Sequence, residues 1–221
     1  MRYYPIFLDI KGKACLVVGG GDVGSRKVKT LLECGACVTV ISPEVIKPIQ
    51  DLAETHIIQW KSHCYNTGDL DGFFLVIGAT NDEAINFRIS RDALERGMLC
   101  NIADRPDACN FILPSLVRRG DLTIAISTSG KSPALAKRLR KELEAHFGSE
   151  YSDVLRLMGA IRNNLLSQRH APEAHKPLFE ALLDRGIVDL MRQKEFDKVN
   201  DLLKDLLGKE YELQSLMKSD N

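Results

Sequence analysis

The sequence has no net charge, because 30 lysines and arginines balance 30 aspartates and glutamates. A chain without excess positive charge lacks the electrostatic footprint of proteins that bind nucleic acid or a membrane surface. No apolar run approaches the roughly 20 residues that a membrane-spanning helix needs, and the first residues lack the apolar core of a signal peptide. We therefore expect a cytoplasmic protein that binds neither nucleic acid nor a membrane.

The sequence also lacks the paired ligands of a metal site. Cys34 and Cys37 are spaced as C-x-x-C, but no second pair completes a zinc site. Cys34 ends a predicted helix and Cys37 begins a predicted strand, whereas a redox motif would stand at the start of a helix. His170 and His175 match no metal-ligand spacing. We predict no metal site, and we interpret three cysteines on apolar runs as core residues: Cys15, Cys37 and Cys100.

A cluster of glycines follows an apolar Cys-Leu-Val-Val run near the start of the chain. Gly19, Gly21 and Gly24 fit the pattern G-x-G-x-x-G. In dinucleotide-binding folds the first glycine allows a tight turn, the second lets the pyrophosphate approach the backbone, and the third lets the helix pack closely. The following helix, with Asp22 and Val23 at its start, would offer free N–H groups to the phosphates. The loop therefore predicts a dinucleotide site; a glycine turn that binds nothing is the alternative.

The segments after this loop alternate between helical and strand patterns. Apolar residues at helical spacing lead to Gly35, which fits a helix end, and residues 37–41 fit a buried strand. The pattern continues with predicted strands at 57–60, 73–79 and 99–102 and a helix at 82–96. Such alternation is typical of a doubly wound parallel sheet of the Rossmann type, class α/β. We place an NAD-binding Rossmann domain at residues 1–113.

The pattern changes after Pro114. Two extended apolar runs flank Arg119-Gly120-Asp121 and indicate a hairpin, and Ser132-Pro133 fits the start of a helix. A hairpin and one amphipathic helix cannot bury both of their faces alone. Residues 114–147 are therefore predicted to form a small α+β dimerisation segment that pairs with a second copy. Residues 148–221 show only helical patterns, which predicts a helical C-terminal domain.

Polar segments follow the predicted strands. Gly78-Ala79-Thr80-Asn81 follows one strand, and Asn101-Ile102-Ala103-Asp104 follows the next. Open parallel sheets bind ligands at the carboxyl ends of their strands. A third segment, residues 127–133, is rich in hydroxyl groups and leads into a helix N-terminus. These three segments are the candidates to surround a ligand.

With these segments the sequence resembles the sirohaem synthase family of the precorrin-2 dehydrogenase/sirohydrochlorin ferrochelatase type. The resemblance covers roughly residues 1–147, and the C-terminal helices fit the family only in length and class. It rests on Tyr-Pro-Ile-Phe at 4–7, the loop from Gly19 to Gly24 with Arg26-Lys27, Ala-Thr-Asn-Asp at 79–82, Asn-Ile-Ala-Asp at 101–104, Phe-Ile-Leu-Pro-Ser at 111–115 and Ser-Gly-Lys-Ser-Pro at 129–133.

The resemblance implies an NAD-dependent oxidation of the tetrapyrrole precorrin-2 to sirohydrochlorin, a step of sirohaem biosynthesis. In many members ferrous iron is then inserted, so ferrous iron or cobalt would be a second substrate and the enzyme would be both oxidoreductase and lyase. The family is homodimeric through the segment after its Rossmann domain. Larger members carry a C-terminal methyltransferase domain, for which we expect no room in 221 residues.

The catalytic acid of the family corresponds to Asp104. Its carboxylate would lie at the ligand-binding edge of the sheet. Removal of a hydride from the macrocycle leaves a proton that a base must accept, and metal insertion also requires the loss of pyrrole protons. The alternative is that Asp104 only stabilises a loop through an Asx turn beside Pro106.

One position departs from the usual NAD pattern. An acidic residue commonly ends the second strand and binds the ribose hydroxyls, whereas Ser42-Pro43-Glu44 stands here. We predict that Ser42, local backbone or Glu44 takes this role and that Thr80 and Asn81 complete the cofactor site. No arginine stands in this turn to bind a 2′-phosphate, so we expect NAD rather than NADP.

A substrate with many carboxylates needs local positive charge in a protein without net charge. Ser129, Lys131, Ser132 and Arg138 lie at or just beyond the hydroxyl-rich turn. We predict that they bind the acidic side chains of the substrate near Asp104. The alternative is that the basic residues are a solvated helix face.

Two other functions stay open. The chain could be a dehydrogenase without chelatase activity, since Asp104 is expected in both. It could also be a non-catalytic NAD-sensing Rossmann module of the kind that regulates ion transporters. Such modules usually carry the acidic residue that is missing after the second strand. Their function also does not explain the presence of the segments at 101–115 and 127–133.

Overall fold

A computed structural model describes residues 2–167 and 175–218 of the chain. The chain divides into two compact units, Met1–Leu113 and Pro114–Asn221. The predicted Rossmann domain ends at the residue where the first unit ends. The predicted separation of a dimerisation segment from a helical domain at residue 147 stays a prediction.

The first unit contains a five-stranded parallel sheet. Its strands are β1 (Ala14–Val18), β2 (Cys37–Ile41), β3 (Gln59–Lys61), β4 (Leu75–Gly78) and β5 (Leu99–Ile102). Its helices are α1 (Asp22–Glu33), α2 (Lys47–Glu54) and α3 (Glu83–Glu95), with short 3₁₀ turns at Thr67–Leu70 and Pro106–Ala108. The strand order is β3-β2-β1-β4-β5, so the predicted Rossmann-type fold is confirmed. The order reverses beside β1, which is where such sheets bind ligands.

The strands are apolar on both faces because helices cover both sides of the sheet. In β1, Cys15 and Val17 pack into the cluster that contains the buried residues of α1 and α2. Leu16 and Val18 pack into the opposite cluster with α3. Cys37, which we expected in the core, is exposed at the first position of β2.

Helix ends in this unit follow local capping chemistry. After α1, the Gly35 N–H donates to Leu32 O at 2.9 Å and the Ala36 N–H donates to Leu31 O at 3.1 Å. Gly35 has φ of +74°, so this is a Schellman end at the predicted residue. Asp82 was predicted as the first residue of the helix at 82–96. It is instead the N-cap of α3, and its Oδ1 accepts the Ala84 and Ile85 N–H groups.

The second unit begins with the predicted hairpin, formed by β6 (Ser115–Arg119) and β7 (Leu122–Ile126). α4 (Pro133–His146) follows with Ser132 as N-cap, whose Oγ accepts the Leu135 N–H at 3.2 Å. The Arg119 guanidinium donates to Phe147 O at 2.7 Å and Glu144 O at 2.8 Å. The hairpin therefore caps the C-terminal carbonyls of α4.

The rest of this unit is helical in its described part. Its helices are α5 (Glu150–Ser167), α6 (His175–Asp184), α7 (Ile187–Arg192), α8 (Phe196–Leu207) and α9 (Leu213–Lys218). Apolar residues at helical spacing form the core of these helices, although Leu183 and Phe196 are exposed. His175 is buried at the start of α6, while His170 lies outside the described residues. Across residues 2–167 and 175–218, no helix has the length and apolar character needed to cross a membrane.

Candidate functional site

A cleft of about 380 Å³ opens at the carboxyl edge of the parallel sheet. The glycine loop after β1, the turn after β2 and the segment after β4 form its walls, together with residues 63–65 after β3. It brings together seven of the predicted cofactor residues: Gly19, Gly21, Ser42, Pro43, Glu44, Thr80 and Asn81. The other three, Asp22, Val23 and Gly24, lie in the first turn of α1, directly after Gly21.

The glycine loop is shaped by close backbone packing. Gly19 has φ of +117°, and a Cβ there would collide with the carbonyl oxygen of Ala79. A Cβ at Gly24 would collide with the carbonyl oxygen of Gly19. A Cβ at Gly21 would meet no atom within 4 Å. Gly19 and Gly24 therefore serve packing, whereas Gly21 faces open space, as a ligand-facing position would.

The N-terminus of α1 has the features of an anion-binding site. Gly21 is the N-cap and forms no side-chain capping hydrogen bond. The N–H groups of Asp22, Val23 and Gly24 consequently have no acceptor within the helix, and the positive end of the helix dipole lies there. A pyrophosphate fits this arrangement, with backbone N–H groups as donors and no side chain in its way.

The turn after β2 is held by two side chains that sequence reasoning missed. The Trp60 indole N–H donates to Ser42 O at 3.0 Å, and the Ser62 hydroxyl donates to Pro43 O at 2.9 Å. The Glu44 side chain is exposed beside the cleft. Because both donors come from or just after β3, only the pairing of β2 with β3 brings them to this turn.

The segment after β4 is locked by Asn86 of α3. The Thr80 hydroxyl donates to Asn86 Oδ1 at 2.9 Å, and Asn86 Nδ2 donates to Thr80 O at 2.9 Å. Asn86 is buried, so its amide is satisfied almost entirely by this reciprocal pair. A polar residue on the buried face of the predicted helix was the only sequence signal for it.

Residues 63–65 are a wall of the cleft that sequence reasoning also missed. Tyr65 anchors this segment, because its hydroxyl donates to Asp92 Oδ2 at 3.1 Å, and Thr67 donates to the same oxygen at 2.7 Å. Burial and the Asp92 charge raise the pKa of Tyr65. Burial of Asp92 opposes its ionisation, but hydrogen bonds from Thr67, Arg91 and Tyr65 lower its pKa. The buried carboxylate therefore stays ionised and acts as a structural anchor.

Asp104 follows β5 and has φ of +60°, a left-handed conformation that Asp and Asn tolerate better than most residues. Its side chain is exposed. In the described part of the chain, no group donates a hydrogen bond to its carboxylate, so the expected alternative of an Asx turn is not seen. The Arg105 guanidinium instead forms ion pairs with Asp107 and Glu83. The Asp104 carboxylate is therefore accessible to a ligand.

The turn that carries Asp104 is built on a scaffold from the next segment. The Ile102 N–H donates to Cys109 Sγ at 3.1 Å, and the thiol donates to Arg105 O at 3.1 Å. The Asn110 side chain accepts the Cys100 N–H at 2.8 Å and donates to Met98 O at 2.7 Å. These bonds cover the free edge of β5 and hold both ends of the Asp104 turn.

The predicted substrate residues all lie in the second unit. Ser129 is left-handed, with φ of +53°, and its N–H is held by the Ser127 hydroxyl at 3.1 Å. Lys131 and Arg138 are exposed. Arg138 pairs with Glu142 on the same helix at 2.8 Å, which leaves Lys131 as the less compensated charge.

A second groove of about 360 Å³ runs along α3, where Phe87 and Leu94 are exposed. Side chains line it, and the glycine loop does not contribute to it. The cleft with the uncapped helix N-terminus is therefore the candidate nucleotide site. Among residues 2–167 and 175–218, no group of three potential metal ligands comes together.

Comparisons with known proteins agree with this geometry. A family model described as NAD(P)-binding matches residues 6–115, and one described as "Sirohaem biosynthesis protein central" matches residues 119–146. A siroheme synthase of Methylococcus capsulatus is 36% identical over 193 residues, 87% of this chain and 41% of the relative. One of Photorhabdus laumondii is 37% identical over 165 residues, 75% of this chain and 35% of the relative.

A solved structure named "SirC, precorrin-2 dehydrogenase" superposes with a TM-score of 0.79 at 28% identity and covers 92% of this chain and 98% of that one. The chain belongs to the sirohaem synthase family. It spans about two fifths of the length of the siroheme synthases that it matches. The NAD(P)-binding family model and the likeness to a precorrin-2 dehydrogenase support NAD as the cofactor.

Proposed function

We propose that this chain oxidises precorrin-2 to sirohydrochlorin with NAD as the oxidant. The likeness to a precorrin-2 dehydrogenase carries this proposal, because it extends over nearly all of both chains. The candidate nucleotide cleft and the exposed Asp104 carboxylate lie on the same edge of the sheet, as this chemistry requires.

The reaction removes two electrons and two protons from the macrocycle. NAD, when bound, accepts one hydrogen as a hydride, and the other leaves as a proton. Asp104 is the proposed acceptor of that proton, because its carboxylate is exposed and accepts no hydrogen bond from the described residues. Ser129, Lys131, Ser132 and Arg138 are proposed to bind acidic side chains of the substrate.

Insertion of ferrous iron is a second proposed activity. The relatives that match are named siroheme synthase, and the aligned regions cover most of this chain. Asp104 would accept pyrrole protons in that step as well. Anaerobic incubation with precorrin-2 and NAD, first alone and then with ferrous iron or cobalt, separates the two activities by absorbance.

Asp104→Asn is expected to slow precorrin-2 oxidation by about 10²–10⁴-fold, the usual contribution of one general base. The amide retains the shape and the tolerance of a left-handed backbone but cannot take up the proton. NAD affinity, measured by calorimetry, is expected to stay unchanged.

Asp107→Asn is the matched control, because Asp107 is an exposed carboxylate in the same segment, and its ion pair among described residues is with Arg105. It is expected to retain activity. Full turnover by Asp104→Asn would remove Asp104 from the mechanism.

A further inference from the structure

Lys27 is a half-buried lysine on the second turn of α1. Val23 lies one turn before it on the same face of the helix, because residues four apart are neighbours. Side chains of a helix lean toward its N-terminus. The long Lys27 side chain is therefore directed past Val23, toward the carboxyl edge of the sheet.

Lys27 lies close enough to Asp104 for the two charges to interact. Burial lowers the pKa of Lys27, the adjacent Arg26 lowers it further, and the negative charge of Asp104 acts in the opposite direction. In the part of the chain that the structure describes, the Lys27 ammonium forms no ion pair and no hydrogen bond. By contrast, Lys47 pairs with Asp51 at 2.7 Å. A partly desolvated cation without a partner favours an anionic ligand.

The ligand of Lys27 is distinct from the cofactor pyrophosphate. The residues that line the nucleotide cleft include Gly21 but not Lys27. Asp104, whose charge interacts with Lys27, lies instead in the segment after β5. A substrate rich in carboxylates is repelled by the Asp104 carboxylate, and a cation beside Asp104 offsets this repulsion.

We propose that Lys27 binds a carboxylate of the tetrapyrrole substrate beside Asp104. This proposal rests on the proposed function, because that function supplies a polycarboxylate substrate. Lys27 is then a substrate-binding residue of the first unit, in addition to the residues predicted in the second.

The full-length variant Lys27→Met tests this proposal, since methionine retains an apolar stem and removes the charge. The KM for precorrin-2 and the Kd for sirohydrochlorin, measured by fluorescence without turnover, are expected to rise roughly tenfold to hundredfold. The Kd for NAD and kcat are expected to stay unchanged, and Lys27→Arg should recover most of the lost affinity. Lys29→Met, at an exposed lysine of the same helix, is the matched control and should behave as the wild type.

Unchanged tetrapyrrole affinity in Lys27→Met would overturn the proposal. A rise in the Kd for NAD instead of the tetrapyrrole would overturn it too and assign Lys27 to the phosphates. If the wild type binds sirohydrochlorin through Lys27 but does not oxidise precorrin-2, the binding proposal holds and the proposed function fails. Circular dichroism and the melting temperature check that each variant is folded.

Discussion

At the scale of single residues, the glycines of the nucleotide loop differ in what they tolerate. A Cβ at Gly20 would collide with the carbonyl oxygen of Glu44, whereas a Cβ at Gly21 would enter open space. Substitution of Gly20 therefore affects folding. Substitution of Gly21 is expected to affect only the binding of a ligand in the open space beside it.

Gly21→Asp is expected to abolish NAD binding without unfolding the protein. The new carboxylate would lie at the N-terminus of α1 and repel the pyrophosphate. Calorimetric titration with NAD measures the effect. Gly21→Ala, which adds bulk without charge, should fold and lose less affinity, and unchanged NAD affinity in Gly21→Asp would refute this cofactor site.

Cys109 is the residue whose side chain holds the turn around Asp104. Burial raises the pKa of its thiol, outweighing the hydrogen bond from Ile102. The thiol therefore stays protonated and can donate to Arg105 O while it accepts the Ile102 N–H.

Cys109→Ala is expected to lower the free energy of unfolding by about 1–3 kcal/mol, because it leaves a partly buried N–H without an acceptor. Cys109→Ser retains both hydrogen-bonding roles and should lose less. Denaturant unfolding measures both variants. Equal stability of the alanine variant and the wild type would show that water replaces the thiol.

At the scale of elements, the site is made where loops leave the parallel strands. α1 supplies the phosphate-binding end, α3 clamps the segment after β4 through Asn86, and the segment after Pro106–Ala108 covers the edge of β5. Each loop is therefore held by an element other than the strand it follows. This explains how a set of short loops can form a defined site on a rigid sheet.

The predicted substrate residues of the second unit lie on α4 and in the turn before it. Neutralising Lys131 and Arg138 together with glutamine should raise the KM for the tetrapyrrole and leave that for NAD unchanged. Neutralisation is preferable to reversal, because a glutamate at 138 would repel Glu142. Exposed ion pairs are individually weak, so the wild-type KM should also rise with added salt.

Lys209→Gln is a suitable control for this double variant, because Lys209 is an exposed lysine of the same unit. If neither the double variant nor salt changes the KM for the tetrapyrrole, the basic residues of α4 are a solvated face.

At the scale of the whole molecule, the second unit leaves apolar surface uncovered. Leu135 on α4 is 48% exposed in the single chain, and Leu139 and Leu143 are only half-buried. We propose a homodimer through residues 114–147, in which a second copy covers this face. Burial of such leucines is worth roughly 1.5–3 kcal/mol each.

Leu135→Asp combined with Leu139→Asp is expected to convert the dimer into monomers or aggregates, because two carboxylates would be buried in the contact. Light scattering at micromolar concentration measures the mass. Leu183→Asp, at a leucine of α6 that is 49% exposed, serves as a control outside this segment. A monomeric wild type would contradict the proposal.

The sequence by itself determined the fold class and the position of the nucleotide loop. Apolar periodicity sets which residues are buried, and Gly19 and Gly35 mark positive-φ backbone that other residues rarely adopt. These signals are local, so they can be interpreted without knowing what packs against them. The N-cap at Ser132 and the hairpin after Pro114 were predictable for the same reason.

Only the tertiary structure decided which side chains hold the site. Asn86 meets Thr80, Trp60 meets Ser42, and Asp92 anchors the segment of Tyr65. Partners from different elements meet only after the strands have paired in their particular order, so local sequence patterns carried little or no trace of them. Lys27 and Asp104 are a further case, since their charges interact although the residues are far apart in the chain.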